Sequence, residues 1–148
     1  MLLADKIAIV SGVGPGLGRE IALAFAREGA DVVLGARTAS YLKEVAAEVE
    51  ASGRRAVYAA TDVTDAGQCH ELVSRGLDAF GRVDVLVNNA ARADVFQPFE
   101  TVDLREWRKI MDVNLFGSLQ MTAEVVEPMK GQGGGSIVFV NSMIMRKV

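Results

Sequence analysis

Three glycines, Gly12, Gly16 and Gly18, follow an apolar run in IAIVSGVGPGLGREIALAF, with Ser11 just ahead of them. A strand, a glycine-rich turn and a helix in that order aim free N–H groups and the positive end of a helix dipole outward. That is chemistry for a phosphate. Glycine serves where a side chain would block a pyrophosphate or where the backbone turns with positive φ. Pro15 removes one donor and stiffens the loop, so phosphate contacts fall to its neighbours. A tight turn without a ligand would carry the same residues, but placement directly after the first strand favours the phosphate. Two more polar positions stand out. Ser142 ends the apolar run of GGGSIVFVNSMIMRKV, and Asn114 sits among apolar residues at helical spacing in DVNLFG. A strand-end serine is also common as a turn residue or helix cap, and such an asparagine is equally suited to bonding a nearby carbonyl.

Five short apolar runs must position these groups: Ile7–Val10, Val32–Leu34, Ala56–Ala60, Val83–Val87 and Ile137–Val140. Most are rich in Val and Ile without clean alternation, as in strands covered on both faces. Helical spacing links Leu17, Ile21, Ala24 and Phe25, and again Leu42, Val45, Ala46 and Val49. A third set is Cys69, Leu72, Val73, Gly76 and Phe80, opened by Thr64 and Asp65 as candidate caps. The fourth runs from Trp107 through Ile110, Met111, Leu115, Ser118 and Met121 to Val125, with Asp103 before it and Pro128 near its end. It is expected as one long helix with Asn114 on its buried stripe. Strands alternating with helices predict an α/β, doubly wound parallel sheet. GQGGG at 131–135 reads as a flexible loop before the last strand.

With 148 residues the chain suits one domain, expected to be soluble and cytoplasmic. Half of it is hydrophobic, 24% is charged and the net charge is -3, with signs interspersed. No basic stripe invites nucleic acid, and no apolar run is long enough for a membrane. Cys69 is the only cysteine, which excludes an internal disulfide, and the lone His70 beside it offers no metal set.

The glycine spacing, with two stretches further on, resembles the short-chain dehydrogenase/reductase family. Its first motif is TGxxxGxG, with Ser sometimes replacing Thr. ATDVTD at 60–65 is similar to the segment after the family's third strand, and NNAA at 88–91 resembles NNAG, with Ala91 for Gly. The resemblance implies a Rossmann-type sheet of order 3-2-1-4-5, truncated before strands six and seven. It also implies a dinucleotide held by Ser11, Gly12, Gly16, Leu17, Gly18, Asp62, Val63, Asn89 and Ala90. An NAD-preferring member would carry an acid at the end of strand two; Ala36 stands there, and Arg37 follows. Arg37 offers a 2′-phosphate a fork of charged donors, so NADP is expected over NAD, although a solvated loop arginine would look the same.

By the same resemblance Asn114 and Ser142 take catalytic places, Asn114 supporting a proton relay and Ser142 bonding the substrate oxygen. The reaction implied is hydride transfer between nicotinamide and a secondary alcohol or ketone, of the 3-oxoacyl reductase type or related. A YxxxK motif should supply the proton-transferring Tyr and its Lys. Tyr41 and Tyr58 lie upstream and no tyrosine precedes Lys147 at that spacing, so the pair is expected beyond Val148. Residues 1–148 alone should then be inactive. A homo-oligomer, dimer or tetramer, is expected of the complete protein, with apolar surface exposed along Met121, Val125 and Val126. Phe96 and Phe99, or Met143 and Met145, could wall a substrate site or simply pack. A dinucleotide-binding sensor or scaffold without catalysis is the competing reading. A receiver-like domain is disfavoured, because glycines stand where its acidic cluster would be.

Overall fold

The computed structural model describes residues 1–92 and 98–142. Five strands, β1 (Ile7–Ser11), β2 (Asp31–Ala36), β3 (Ala56–Ala60), β4 (Val85–Asn88) and β5 (Ser136–Phe139), form one sheet. The order is β3-β2-β1-β4-β5 and every pairing is parallel. The helices are α1 (Leu17–Arg27), α2 (Ala39–Ala51), α3 (Ala66–Phe80), α4 (Leu104–Met111) and α5 (Ser118–Gly131). This is the doubly wound parallel sheet that the strand–helix alternation predicts, in the Rossmann-type order that the family resemblance implies.

Alternation along the strands divides the core in two. Ile7, Ile9, Val33 and Leu86 pack with Leu72, Val73, Met121 and Val125 of α3 and α5. Val10, Val32, Leu34 and Val87 face Ala22, Leu42, Val45 and Val49 of α1 and α2. On α1 the buried positions are Gly18, Ala22 and Ala26, while Leu17 is exposed and Ile21, Ala24 and Phe25 are half-buried. The stripe is therefore turned from the one the larger residues suggest, because small residues let the helix lie close to the sheet. Asp65 caps α3, its carboxylate accepting from the Gln68 amide.

The fourth helical stretch differs from expectation. It is α4, a π-helical turn over Asp112–Gly117, and then α5. No residue of α4 is buried, and Trp107, Met111, Leu115, Phe116 and Leu119 are exposed. Met121 and Val125 are fully buried against α3 and Val126 is half-buried, so the expected exposed surface lies instead on the preceding turns. The sheet backs only α5; α4 stands off beyond it.

The glycine-rich connection to β5 is pinned rather than loose. Gln132 Nε2 donates to the Val83 carbonyl at 2.6 Å, and its Oε1 accepts from the Val83 amide at 3.2 Å. At the amino ends of the strands, Asp84 accepts from the Ile7 amide at 2.9 Å and from two nitrogens of Arg82. Burial pushes the Asp84 carboxyl up, but Arg82, the Ile7 amide and Lys6 outweigh it and hold the group below its ordinary range. Asp31 is held low in the same way by Arg55 and Arg54. As pH falls the unfolded chain takes up these protons first, so the stability the carboxylates supply at neutral pH is lost as pH drops through their folded values. Asp84→Asn is expected to cost about 1–3 kcal/mol at pH 7, less than a fully dry pair because Arg82 and Lys6 reach water. In urea melts the gap from wild type should close as pH falls below about 4.

Candidate functional site

The carboxyl ends of β1, β2, β4 and β5 lie level, with Ser11 opposite Gly35 and Asn88, and Asn88 opposite Phe139. Above them, at the point where the order reverses between β1 and β4, opens a cleft of about 790 Å³. The loop after β1 forms its floor. Gly12 and Val13 donate to the Gly35 carbonyl at 2.8 and 3.0 Å, tying this loop to β2. Asn89 donates its side-chain amide to the Gly12 carbonyl at 2.8 Å and its backbone amide to the Ser11 carbonyl at 3.0 Å, tying it to β4.

No side chain fits into this junction. A Cβ on Gly12 would overlap the Ala90 backbone and stand 2.7 Å from the Asn89 carbonyl carbon, and Gly12 has a φ of +86°. A Cβ on Gly18 would strike the Gly12 carbonyl and lie 2.9 Å from Asn89 Nδ2. Gly14 and Gly16 differ: nothing stands within 4 Å of a Cβ there, and no side chain caps the amides that open α1. Close packing behind and open space in front, at a helix N-terminus, fit a pyrophosphate.

At the other end of the cleft stand Arg37, Thr38, Tyr41, Asp62 and Val63. Asp62 accepts from the Thr64 amide at 3.0 Å and its hydroxyl at 2.7 Å; those bonds first, and the Arg37 charge last, hold its carboxyl below the ordinary range. Arg37 and Asp62 thus line the same part of the cleft, close enough for the Arg37 charge to act on the Asp62 carboxylate. Val63 is backed by the π-helical turn, where a Cβ on Gly117 would meet Val63 Cγ2 at 2.5 Å.

Of the residues assigned from the sequence, Gly12, Arg37, Asp62, Val63, Asn89 and Ala90 line the cleft together. Ser11 and Gly18 are buried behind the loop, while Gly16 and Leu17 are exposed at the start of α1; none of these four lines it. Asn114 was expected on a buried α-helical stripe. It is exposed, in the π-helical turn, where the neighbouring Val113 rather than Asn114 faces the core. Its side chain accepts from the Arg92 amide at 2.7 Å and donates to the Arg92 carbonyl at 3.1 Å. Ser142 lies three residues past the end of β5, exposed at the same carboxyl edge, and the Val140 amide still bonds the Asn88 carbonyl at 2.9 Å. Phe96, Met143, Met145 and Lys147, with the side chain of Phe99, fall outside the described residues.

Lys109, Asp112 and Val113, which sequence reading did not single out, also border the cleft, as does Arg92. Their spacing of three and four residues places them on one helical face, a signal present in the sequence but indistinguishable there from a solvated face. Asn88 is buried, with Nδ2 on Thr122 Oγ1 at 3.2 Å, and its Oδ1 has no partner among the described residues. His70 Nδ1 lies 2.9 Å from Glu124 Oε2, joining α3 to α5. The Cys69 thiol is pushed up to about 11 by burial and by the Glu124, Asp65 and Asp62 charges, which makes it a poor nucleophile. Among the described residues no His, Cys, Asp and Glu group could hold a metal, and no helix is long and apolar enough to cross a membrane.

The family model for short chain dehydrogenases matches residues 6–147. The chain belongs to that family. A short-chain dehydrogenase/reductase of Aspergillus oryzae, astE, is 37% identical over 147 residues, covering 98% of this chain and 56% of that protein. The 3-alpha-(or 20-beta)-hydroxysteroid dehydrogenase of Mycobacterium tuberculosis is 40% identical over 141 residues, 95% of this chain and 53% of its own. Among solved structures, a 7 alpha-hydroxysteroid dehydrogenase complexed with NADH and 7-oxo glycochenodeoxycholic acid superposes with a TM-score of 0.93 at 32% identity, covering 99% of this chain and 56% of that one. An NAD⁺-bound xylitol dehydrogenase gives 0.93 at 28% identity, covering 98% and 56%. The chain thus spans about half the length of these relatives.

The junction between the two turns makes a direct prediction. Gly12→Ala adds both a steric clash and a residue held at positive φ, and it should lower stability by about 2 kcal/mol or more in urea unfolding. Gly14→Ala, with open space before it, should stay within about 0.5 kcal/mol of wild type.

Proposed function

We propose that residues 1–148 are the dinucleotide-binding part of an NADP-preferring oxidoreductase that interconverts a secondary alcohol and a ketone. The observation that carries the preference is Arg37 at the cleft mouth, beside Ala36, with no carboxylate at the end of β2 to repel a 2′-phosphate. NAD remains the competing cofactor, as two structural neighbours hold its oxidised or reduced form. Gly12 to Gly16 and the α1 amides hold the pyrophosphate, Asp62 bonds the adenine and Val63 packs on it. Ser11 and Gly18 act from behind by shaping the loop, Leu17 opens α1 at its exposed end, and Asn89 and Ala90 flank the ribose on the nicotinamide side.

Bound nicotinamide supplies or accepts a hydride. Ser142 donates a hydrogen bond to the substrate oxygen, and Asn114 supports the relay that moves its proton. Transfer of that proton belongs to a Tyr–Lys pair outside residues 1–148, so this part alone binds cofactor without turnover. Relatives named for hydroxysteroids and for cis-4-hydroxycyclohexanecarboxylate favour a ring hydroxyl or ring ketone as substrate. The exposed Leu115, Phe116 and Leu119 favour a homo-oligomer of the complete protein, soluble and cytoplasmic.

Calorimetric titration tests the reading. NADPH should bind more tightly than NADH, and Arg37→Asp should weaken NADPH by roughly 10- to 100-fold while leaving NADH little changed. Equal affinities in the wild type would refute the preference, and absence of binding to either would refute the cofactor site. In the complete protein, Ser142→Ala should lower kcat by about 100-fold or more with the cofactor dissociation constant unchanged.

A further inference from the structure

Helix α4 forms a wall of the cleft through Lys109, and Asp112 and Val113 of the π-helical turn continue it, yet α4 buries no residue of its own. Its own side chains add little to the buried core. Two polar grips on a single residue join this stretch to the loop after β4. Asn114 holds both polar groups of Arg92's backbone, at 2.7 and 3.1 Å. Two helical turns earlier, Glu106 Oε2 accepts from Arg92 Nη2 at 2.9 Å, and its Oε1 accepts from Lys109 Nζ at 2.6 Å. Arg92 directly follows Ala90 and Ala91, and all three line the cleft. Glu106 is half-exposed, so its ion pairs add little to global stability. What they fix is where a helix without a core lies, and with it the orientation of two cationic cleft residues.

We propose that Glu106 is a positioning residue: through Arg92 it holds α4 against the loop after β4, through Lys109 on its own helix it orients a second cleft cation, and so it sets the affinity of the cleft for its dinucleotide. The inference rests on the cleft being a dinucleotide site. Glu106 touches no ligand in this account. It acts by holding the wall in the bound arrangement before binding, which removes an ordering cost from association. Because Glu106 and both partners reach water, the effect is weakened by salt.

The test compares wild type, Glu106→Gln and Glu106→Asp by amide hydrogen exchange without ligand and by calorimetric titration with NADPH and NADH at low and high salt. In Glu106→Gln the Arg92 amide should exchange about three- to fivefold faster, the dinucleotide dissociation constant should rise by a similar factor, and Tm should hold within about 1 °C. Glu106→Asp, which keeps the charge, should recover part of both effects. High salt should weaken binding more in wild type than in Glu106→Gln. Unchanged exchange at Arg92, or faster exchange with an unchanged dissociation constant, overturns the proposal. So does a lowered Tm with faster exchange across the whole chain, since that marks a merely structural role. Failure of the wild type to bind either dinucleotide is a different result: it overturns the reading of the cleft, while exchange at Arg92 still reports whether Glu106 holds the loop.

Discussion

The backbone after β1 lies directly against the backbone after β4, with no room for a side chain between them. Gly12 gives up its Cβ to Ala90, and Gly18 gives up its own to the Gly12 carbonyl. The Asn89 side chain then closes the contact with a bond to that carbonyl. Because the contact is made of main chain, it fixes the floor of the cleft more rigidly than interdigitated side chains could. Other parts of the site refer to this floor: the α1 amides rise from it, β2 is bonded to it through Gly35, and residues 90–92 leave from it.

Away from that junction, order comes from weaker devices. The rod formed by α4, the π-helical turn and α5 has its fully buried side chains in α5, where Met121, Val125 and Met129 join the core that includes α3. Toward Asp103 it leaves the core, and polar contacts replace packing. Gly117 lets the rod touch Val63 at the midpoint, and the wider π spacing turns the Asn114 side chain toward residue 92. The half of the rod that holds fewest buried side chains is the half that borders the cleft, through Lys109, Asp112 and Val113.

Much of the fold was legible in the sequence because short Val- and Ile-rich runs between amphipathic stretches have few other solutions. The inner strands, the buried set Leu42, Val45, Ala46 and Val49, and the Asp65 cap follow from periodicity and capping alone. Three things were not legible. The orientation of α1 depends on how closely a helix can approach, and a stripe of Gly18, Ala22 and Ala26 carries almost no hydrophobic signal. The π-helical turn leaves no compositional mark, since one extra residue per turn is settled by tertiary contacts. The exposure of Asn114, beside a half-buried Val113, is set by the tertiary placement of the turn, which no local pattern encodes. At the site, glycines with open space before them and glycines packed on backbone look alike in sequence; only the structure separates Gly14 and Gly16 from Gly12 and Gly18.

The pinned connection before β5 bears on Ser142. Gln132 clips the chain to Val83 just before β4, and the Ser136 amide takes the Asp84 carbonyl as its first ladder partner. Glycines alone would leave the strand free to enter one step early or late, and β5 is exposed along most of its length, with little side-chain burial to reject the wrong step. A one-step slip would turn every side chain of β5 to the opposite face and carry Ser142 about 3.3 Å along the edge. The amide of Gln132 thus works as a gauge that sets the starting point of the strand, and a hydroxyl far along the chain is aimed by the residue that clips the loop.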